Sequence, residues 1–164
     1  MHPLDPSDPK QLRRALGHFA TGVTLVTCTD ADGQRVGLTV SSFQAVSLDP
    51  PLVLWSLREA SPSLPAFRQA SHFAVNVLAE AQLALSRRFA SPVPDKFGEG
   101  DWHAGEGGAP VLAGCAAVFE CETVSAQAAG DHVLFIGRVC RLADAPLAPL
   151  LYQGGHYRRL GDSL

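Results

Sequence analysis

At 164 residues, 46% of them hydrophobic and 18% charged, the chain has the size and composition of one globular domain with a real core rather than of a disordered segment. Its formal net charge is −3 and its arginines are scattered, so nothing in it matches the basic runs that neutralise nucleic-acid phosphates. No apolar stretch approaches the roughly 20 residues of a membrane helix. The polar, proline-rich start reads as neither a secretory signal nor a transit peptide, which points to the cytoplasm.

Residues 1–10 read as an N-terminal arm and residues 11–164 as a single domain. Leu12, Leu16 and Phe19 recur at helical spacing, which predicts a helix over residues 9–20 with Gly22 as its cap. Residues 23–29 alternate and are rich in β-branched side chains, so they read as a strand; Asp32-Gly33 turns the chain, and residues 36–43 return as its partner. The run Ser47-Leu48-Asp49-Pro50-Pro51 is a corner, because neither proline can donate to a ladder. Strands follow at 52–57 and 72–78 and short helices at 61–69 and 80–89; Ser61 or Ser63 suits the start of the first helix. Residues 90–114 carry much Gly, Pro and charge and read as a surface excursion. Two long runs, 115–127 and 132–142, joined through Ala128-Ala129-Gly130-Asp131, make a second hairpin before a short end at 154–160. Strands arranged in hairpins with only short helices predict a mostly β, antiparallel barrel with helical attachments, not a doubly wound sheet.

The chemistry is narrowed by what is missing. There is no phosphate-binding P-loop, no nucleophile elbow and no His-Glu-x-x-His zinc motif. Gly105-Glu106-Gly107-Gly108 lacks the third glycine of a dinucleotide fingerprint and reads as a flexible loop. Cys28, Cys115, Cys121 and Cys140 form no Cys-x-x-Cys pair and read as buried free thiols rather than zinc ligands. Asp131-His132 sets a carboxylate beside an imidazole, but neighbours in extended chain point to opposite faces, so no ready-made dyad is expected there.

Taken end to end, the chain resembles the short flavin reductases that feed reduced flavin to two-component monooxygenases. The resemblance rests on Phe19-Ala20-Thr21-Gly22-Val23-Thr24, Gly37-Leu38-Thr39-Val40-Ser41-Ser42-Phe43, Val46-Ser47-Leu48-Asp49-Pro50-Pro51, Phe73-Ala74-Val75-Asn76-Val77-Leu78, Asp95-Lys96-Phe97, Gly130-Asp131-His132 and Tyr152 to Tyr157, all in order. It implies an antiparallel Greek-key split barrel with short flanking helices, a homodimer, and FMN or FAD held near the subunit boundary. NADH or NADPH would be the hydride donor and a monooxygenase the partner, with no nucleic acid, membrane or metal involved.

The resemblance also implies a site. Thr39, Val40, Ser41 and Ser42 would meet the flavin, their amides and hydroxyls donating to the ring edge that gathers negative charge on reduction; a Thr/Ser-rich strand with one wet face would look the same. Ser61 and Ser63 would take the flavin phosphate, and helix capping would account for one of them. Ser56 would touch the ribityl chain, and Lys96 with Phe97 the phosphate end. His132 would stand over the nicotinamide as the catalytic-site residue and Tyr157 would close that half of the pocket; a turn histidine and a packing tyrosine are the plain alternatives. Ser41 departs from the family, which often carries Asn there. A flavin-binding electron carrier or store without nicotinamide activity would share the Thr39–Ser42 strand but would not need His132 or Tyr157.

Overall fold

The computed structural model describes residues 3–162; the first two residues of the expected arm and the last two of the expected domain lie outside them. Helix α1, Pro9–Leu16, begins where the Asp8 carboxylate accepts the Lys10 amide at 2.8 Å, with Pro9 in the first turn, where a missing N–H is harmless. It ends at Gly17, short of the expected limit, because the His18 and Phe19 amides bond back to Ala15 and Leu16 in tight turns. Gly22 instead belongs to the two-residue strand β1, Thr21–Gly22. Leu12, Leu16 and Phe19 do not pack into the core: they are 44%, 63% and 70% exposed.

The main sheet is antiparallel and has seven strands. Strands β2 (Thr24–Thr29) and β3 (Arg35–Val40) form the expected first hairpin, β4 (Gln44–Leu48) and β5 (Pro51–Arg58) a second, and β9 (Ala117–Ala129) and β10 (His132–Asp144) a long third; β6 (His72–Val77) lies between β2 and β9. The order is β3-β2-β6-β9-β10-β5-β4, so β3 and β4 keep open edges and the sheet does not close. This is the mostly β split barrel that was expected. Two details differ. Strand β3 stops at Val40, leaving Ser41–Phe43 outside it, and Gln44–Leu48 is a strand although its last two residues, Ser47 and Leu48, read as part of a corner. As a bulged edge strand whose Val46 and Leu48 face solvent, it shows no buried alternation to betray it.

Strands β2 and β6 are covered on both faces. Val26, Cys28, Phe73 and Val75 point into a core built on Trp55, Phe67 and Phe135; Val23, Leu25, Ala74 and Leu78 point into another built on Phe89, Val111 and Leu112. Helix α2 (Leu64–Gln69) supplies Leu64 and Phe67 to the first core, and α3 (Leu83–Phe89) supplies Phe89 to the second. The excursion at 90–114 is more ordered than its composition suggests. It folds as the hairpin β7 (Trp102–Ala104) and β8 (Pro110–Leu112), with Ala109, Val111 and Leu112 buried. The glycine-rich run, which read as a flexible loop, follows strand β7 and holds one 3-10 turn, Glu106–Gly108. A last hairpin, β11 (Leu151–Gln153) and β12 (His156–Arg158), pairs with β1.

Cys28, Cys115 and Cys121 are buried free thiols, each pushed up to about 12 by burial. Cys140 is the exception. It is free but exposed, on the half of β10 that runs past the core. Among the described residues no helix is long and apolar enough to cross a membrane, and no group of three or more His, Cys, Asp or Glu could hold a metal ion.

Candidate functional site

Where β3 gives out, the chain passes the ends of β5 and β10 and leaves a cavity of about 490 Å³. Thr39, Val40, Ser41, Ser42, Ser56, Ser61 and His132 all border it, together with Leu57 and Arg58. Seven of the residues singled out from the sequence thus share one concavity, although they come from four separate stretches of chain. Pairing brings them there: His132 is in register with Arg58, and Leu134 with Ser56. The Glu59 amide donates to the Asp131 carbonyl at 2.9 Å, which fastens the β9–β10 turn to the end of β5. Gly130 makes that turn with φ at 63°, a left-handed value that suits glycine.

The hydroxyls here are not equivalent. The Thr39 hydroxyl donates to the Ser86 carbonyl at 2.7 Å. The Ser42 hydroxyl donates to the Ser56 carbonyl at 3.0 Å and accepts the Ser56 amide at 2.9 Å, stitching the segment after β3 to β5. Ser41 is exposed and has no hydrogen bond among the described residues. The donors left for a ligand are therefore the Ser41, Ser56 and Ser61 hydroxyls and backbone amides along the open edge of β3.

One expectation is overturned outright. Asp131 and His132 do meet, with 2.7 Å between Asp131 Oδ1 and His132 Nδ1. The alternation of faces holds within a strand, and Asp131 belongs to the turn, where the backbone bends its carboxylate back alongside the ring. The hydrogen bond from His132, helped by its charge, holds the Asp131 carboxyl below the usual carboxylate range. A carboxylate at Nδ1 keeps a proton on that nitrogen, so Nε2 is the ring atom left to meet a ligand.

Four sequence candidates lie elsewhere. Ser63, Lys96 and Phe97 border a separate cavity of about 330 Å³ with Arg35–Gly37. Helix α2 has only six residues and Ser63 makes no side-chain cap; the Ser63 amide donates instead to the Ser61 hydroxyl at 3.3 Å. The Lys96 ammonium donates to the Phe89 carbonyl at 2.9 Å and the Gly37 carbonyl at 3.4 Å, and burial draws its pKa down. Phe97 packs edge-on against Phe89 and Trp102, with the Arg35 guanidinium 4.8 Å from its ring centre. Tyr157 is not on the His132 cavity. Its ring meets Tyr152, and its hydroxyl lies 2.9 Å from Ser86 Oγ. Fully buried Ser86 therefore joins two candidates, holding Thr39 through its carbonyl and Tyr157 through its hydroxyl. Nothing in the sequence marks Ser86, which reads as an ordinary helical serine; Asp131 was marked, but with the wrong geometry.

The flavin reductase like domain model matches residues 16–161. The chain belongs to that family. Within this flavin reductase-like family it is 46% identical over 150 residues to the FMN reductase (NADH) SmoA of Agrobacterium fabrum, covering 92% of this chain and 85% of that protein. It is 41% identical over 153 residues to the flavin-dependent monooxygenase reductase subunit HsaB of Mycobacterium tuberculosis, covering 92% and 81%. The solved NADH:FAD oxidoreductase SgcE6 of Streptomyces globisporus, in complex with NAD and FAD fragments, superposes with a TM-score of 0.92 at 38% identity, covering 98% of each chain. Other curated relatives are longer, and the flavin reductase-like chain spans about half of their length, 48%.

Proposed function

We propose that the protein is an NAD(P)H-dependent flavin reductase, passing hydride from NADH or NADPH to FMN or FAD and supplying reduced flavin to a partner monooxygenase. The observation that carries this reading is the single cavity that gathers the segment after β3, Ser56, Ser61 and His132. Its volume lies within the range of roughly 300–1,000 Å³ that small-ligand sites occupy. The residues fit a flavin: an open strand edge offers fixed donors, and the walls are uncharged except at Arg58 and His132. The names of the relatives support the same activity, the same cofactors and a monooxygenase partner.

The chain's own residues bind and orient. The Ser42–Ser56 bonds fix the wall against which the flavin lies, and Thr39, tied to Ser86, fixes the strand that donates to it. Fixed donors stabilise the charge of reduction without having to reorganise. The flavin, once bound, supplies the acceptor for the hydride leaving nicotinamide C4. Asp131 holds the His132 ring, and His132 positions the nicotinamide. Ser61, which borders the cavity, would take the flavin phosphate, and Tyr157 would complete the site from a second subunit.

A homodimer in the cytoplasm is part of this reading. Leu12, Leu16 and Phe19 leave an apolar strip uncovered that a second copy would bury. The carrier alternative is disfavoured by the Asp131–His132 contact, which a mere flavin store would not need. Mixing the pure protein with NADH or NADPH, with and without added FMN or FAD, tests the proposal. The expected result is nicotinamide oxidation that depends on flavin; flavin binding without oxidation of either donor would leave the carrier reading standing instead.

A further inference from the structure

The Ser86 hydroxyl is a buried polar group that takes no part in lining the cavity beside His132. It lies in α3, Leu83–Phe89, with no exposed surface. A helical serine can return its proton to a carbonyl one turn back, as Ser91, just past the end of α3, does by donating to the Arg87 carbonyl at 2.8 Å. Ser86 does not. Among the described residues the partner of its hydroxyl is Tyr157 Oη, 2.9 Å away on β12.

Counting donors gives that bond a direction. A hydroxyl carries one proton, and a buried proton without an acceptor destabilises the fold. Sealed from water, Ser86 has Tyr157 Oη as its acceptor, so Ser86 donates and the phenol accepts. Tyr157 is only part-buried, and its own proton is left for another acceptor. The ring is held as well. Tyr152 meets it edge-on at 5.4 Å between ring centres, and the guanidinium of Arg87, the residue after Ser86, lies 5.8 Å from its centre. On its other side Ser86 holds the flavin strand: its carbonyl accepts the Thr39 hydroxyl at 2.7 Å as well as the Ala90 amide at 3.1 Å. Thr39 belongs to the seven-stranded sheet and Tyr157 to the separate three-stranded one. One buried residue of α3 therefore ties a wall of the cavity to an aromatic ring on another sheet.

We infer that Ser86 is a positioning residue for hydride transfer: its hydroxyl sets the Tyr157 phenol as an oriented donor to the nicotinamide nucleotide, while its carbonyl holds Thr39 in place for the flavin. The inference rests on the flavin reductase reading, in which Tyr157 closes the nicotinamide half of the site of a second subunit. Ser86, sealed from solvent, can touch neither ligand and acts through the two side chains it holds. Its two arms are separable, because one is a side chain and the other a backbone carbonyl that every variant keeps.

Steady-state kinetics with NADH and NADPH, paired with calorimetry of FMN and FAD, tests the hydroxyl arm in the intact protein. Ser86→Ala should raise the KM of the donor that the parent uses about three- to tenfold, with turnover at saturating donor and flavin affinity each within about twofold. Ser86→Cys fills the space but donates weakly, so it should show the same rise, and it carries the test where Ser86→Ala does not fold. In a Tyr157→Phe background Ser86→Ala should change KM by less than about twofold, since the hydroxyl acts only through the phenol. Thr39→Val should do the reverse, weakening flavin about three- to tenfold and leaving the donor KM within about twofold. A parent-level KM in both Ser86 variants, the same rise with and without the Tyr157 phenol, or loss of flavin in Ser86→Ala would overturn the inference. A parent that oxidises neither donor with either flavin would sink the reductase reading and the inference with it; an active parent with unaltered variants sinks the inference alone.

Discussion

Asn76 on β6 and the Ser41–Ser42 step after β3 are both polar islands in an apolar sheet, and they are used in opposite ways. Asn76 is fully buried and closes on its surroundings: Nδ2 donates to the Leu25 carbonyl at 3.1 Å and the Thr27 hydroxyl at 3.2 Å, and Oδ1 accepts the Leu112 amide at 2.8 Å. Those bonds fasten β8 to β6 and β2, use both Nδ2 protons and give Oδ1 a partner. At the cavity the Thr39 and Ser42 hydroxyls are likewise held, but the ring formed there is incomplete. Ser41, His132 Nε2 and the open edge of β3 have no partner among the described residues. A buried polar group with every bond made specifies structure, whereas one left open at a rim is available to a ligand.

That contrast can be broken at several points. Asn76→Ala should have the largest effect, because it strands the Leu112 amide and the Leu25 carbonyl in the core; about 3 kcal/mol of stability should be lost in urea unfolding. Flavin affinity of the folded fraction should be nearly unchanged, and a selective loss of flavin binding would show that the two islands are not separate. Lys96→Ala should come next, at about 1–2 kcal/mol, because its ammonium ties the loop before β7 to α3 and β3. Turnover at saturating flavin should survive it; a collapse of turnover with stability intact would place Lys96 at the chemistry. Ser42→Ala removes the bridge to Ser56 and should lower stability by about 1 kcal/mol while weakening flavin binding several-fold. Flavin binding at the parent level would mean the hydroxyl has no part in shaping the cavity wall.

The smallest perturbation concerns the thiols. With Cys28, Cys115 and Cys121 buried and pushed up to about 12, only Cys140 should react with iodoacetamide at neutral pH in the native protein, and all four after unfolding. Mass spectrometry of the labelled native chain counts them, and a second rapid label would contradict the burial described.

Much of the fold was legible because its signals are local and strong. The β9–β10 hairpin announces itself by two long runs around Gly130, and β2 by its β-branched alternation. Strand β4 was not legible, since an edge strand with an exposed face carries no burial pattern. The end of α1 was misplaced because Leu12, Leu16 and Phe19 keep a helical spacing even though two tight turns stop the helix at Leu16. At the site, the seven residues on one cavity could be named from a family resemblance, but not their commitments. Which hydroxyls are already bonded depends on Ser86 and Ser56, partners that only the folded chain brings near. The Asp131–His132 contact was missed because a strand rule was carried one residue too far into a turn.

The chemistry proposed for the cavity stands most directly on His132. Anaerobic mixing of flavin-loaded protein with NADH or NADPH, followed by the bleaching of the flavin, compares the parent with His132→Ala. One hydrogen bond and one planar face, of order 1–3 kcal/mol together, predict a loss of about 5- to 150-fold in the efficiency of reduction with flavin affinity nearly unchanged. Bleaching as fast in the variant as in the parent, or loss of the flavin itself, would contradict the placement of the nicotinamide beside His132.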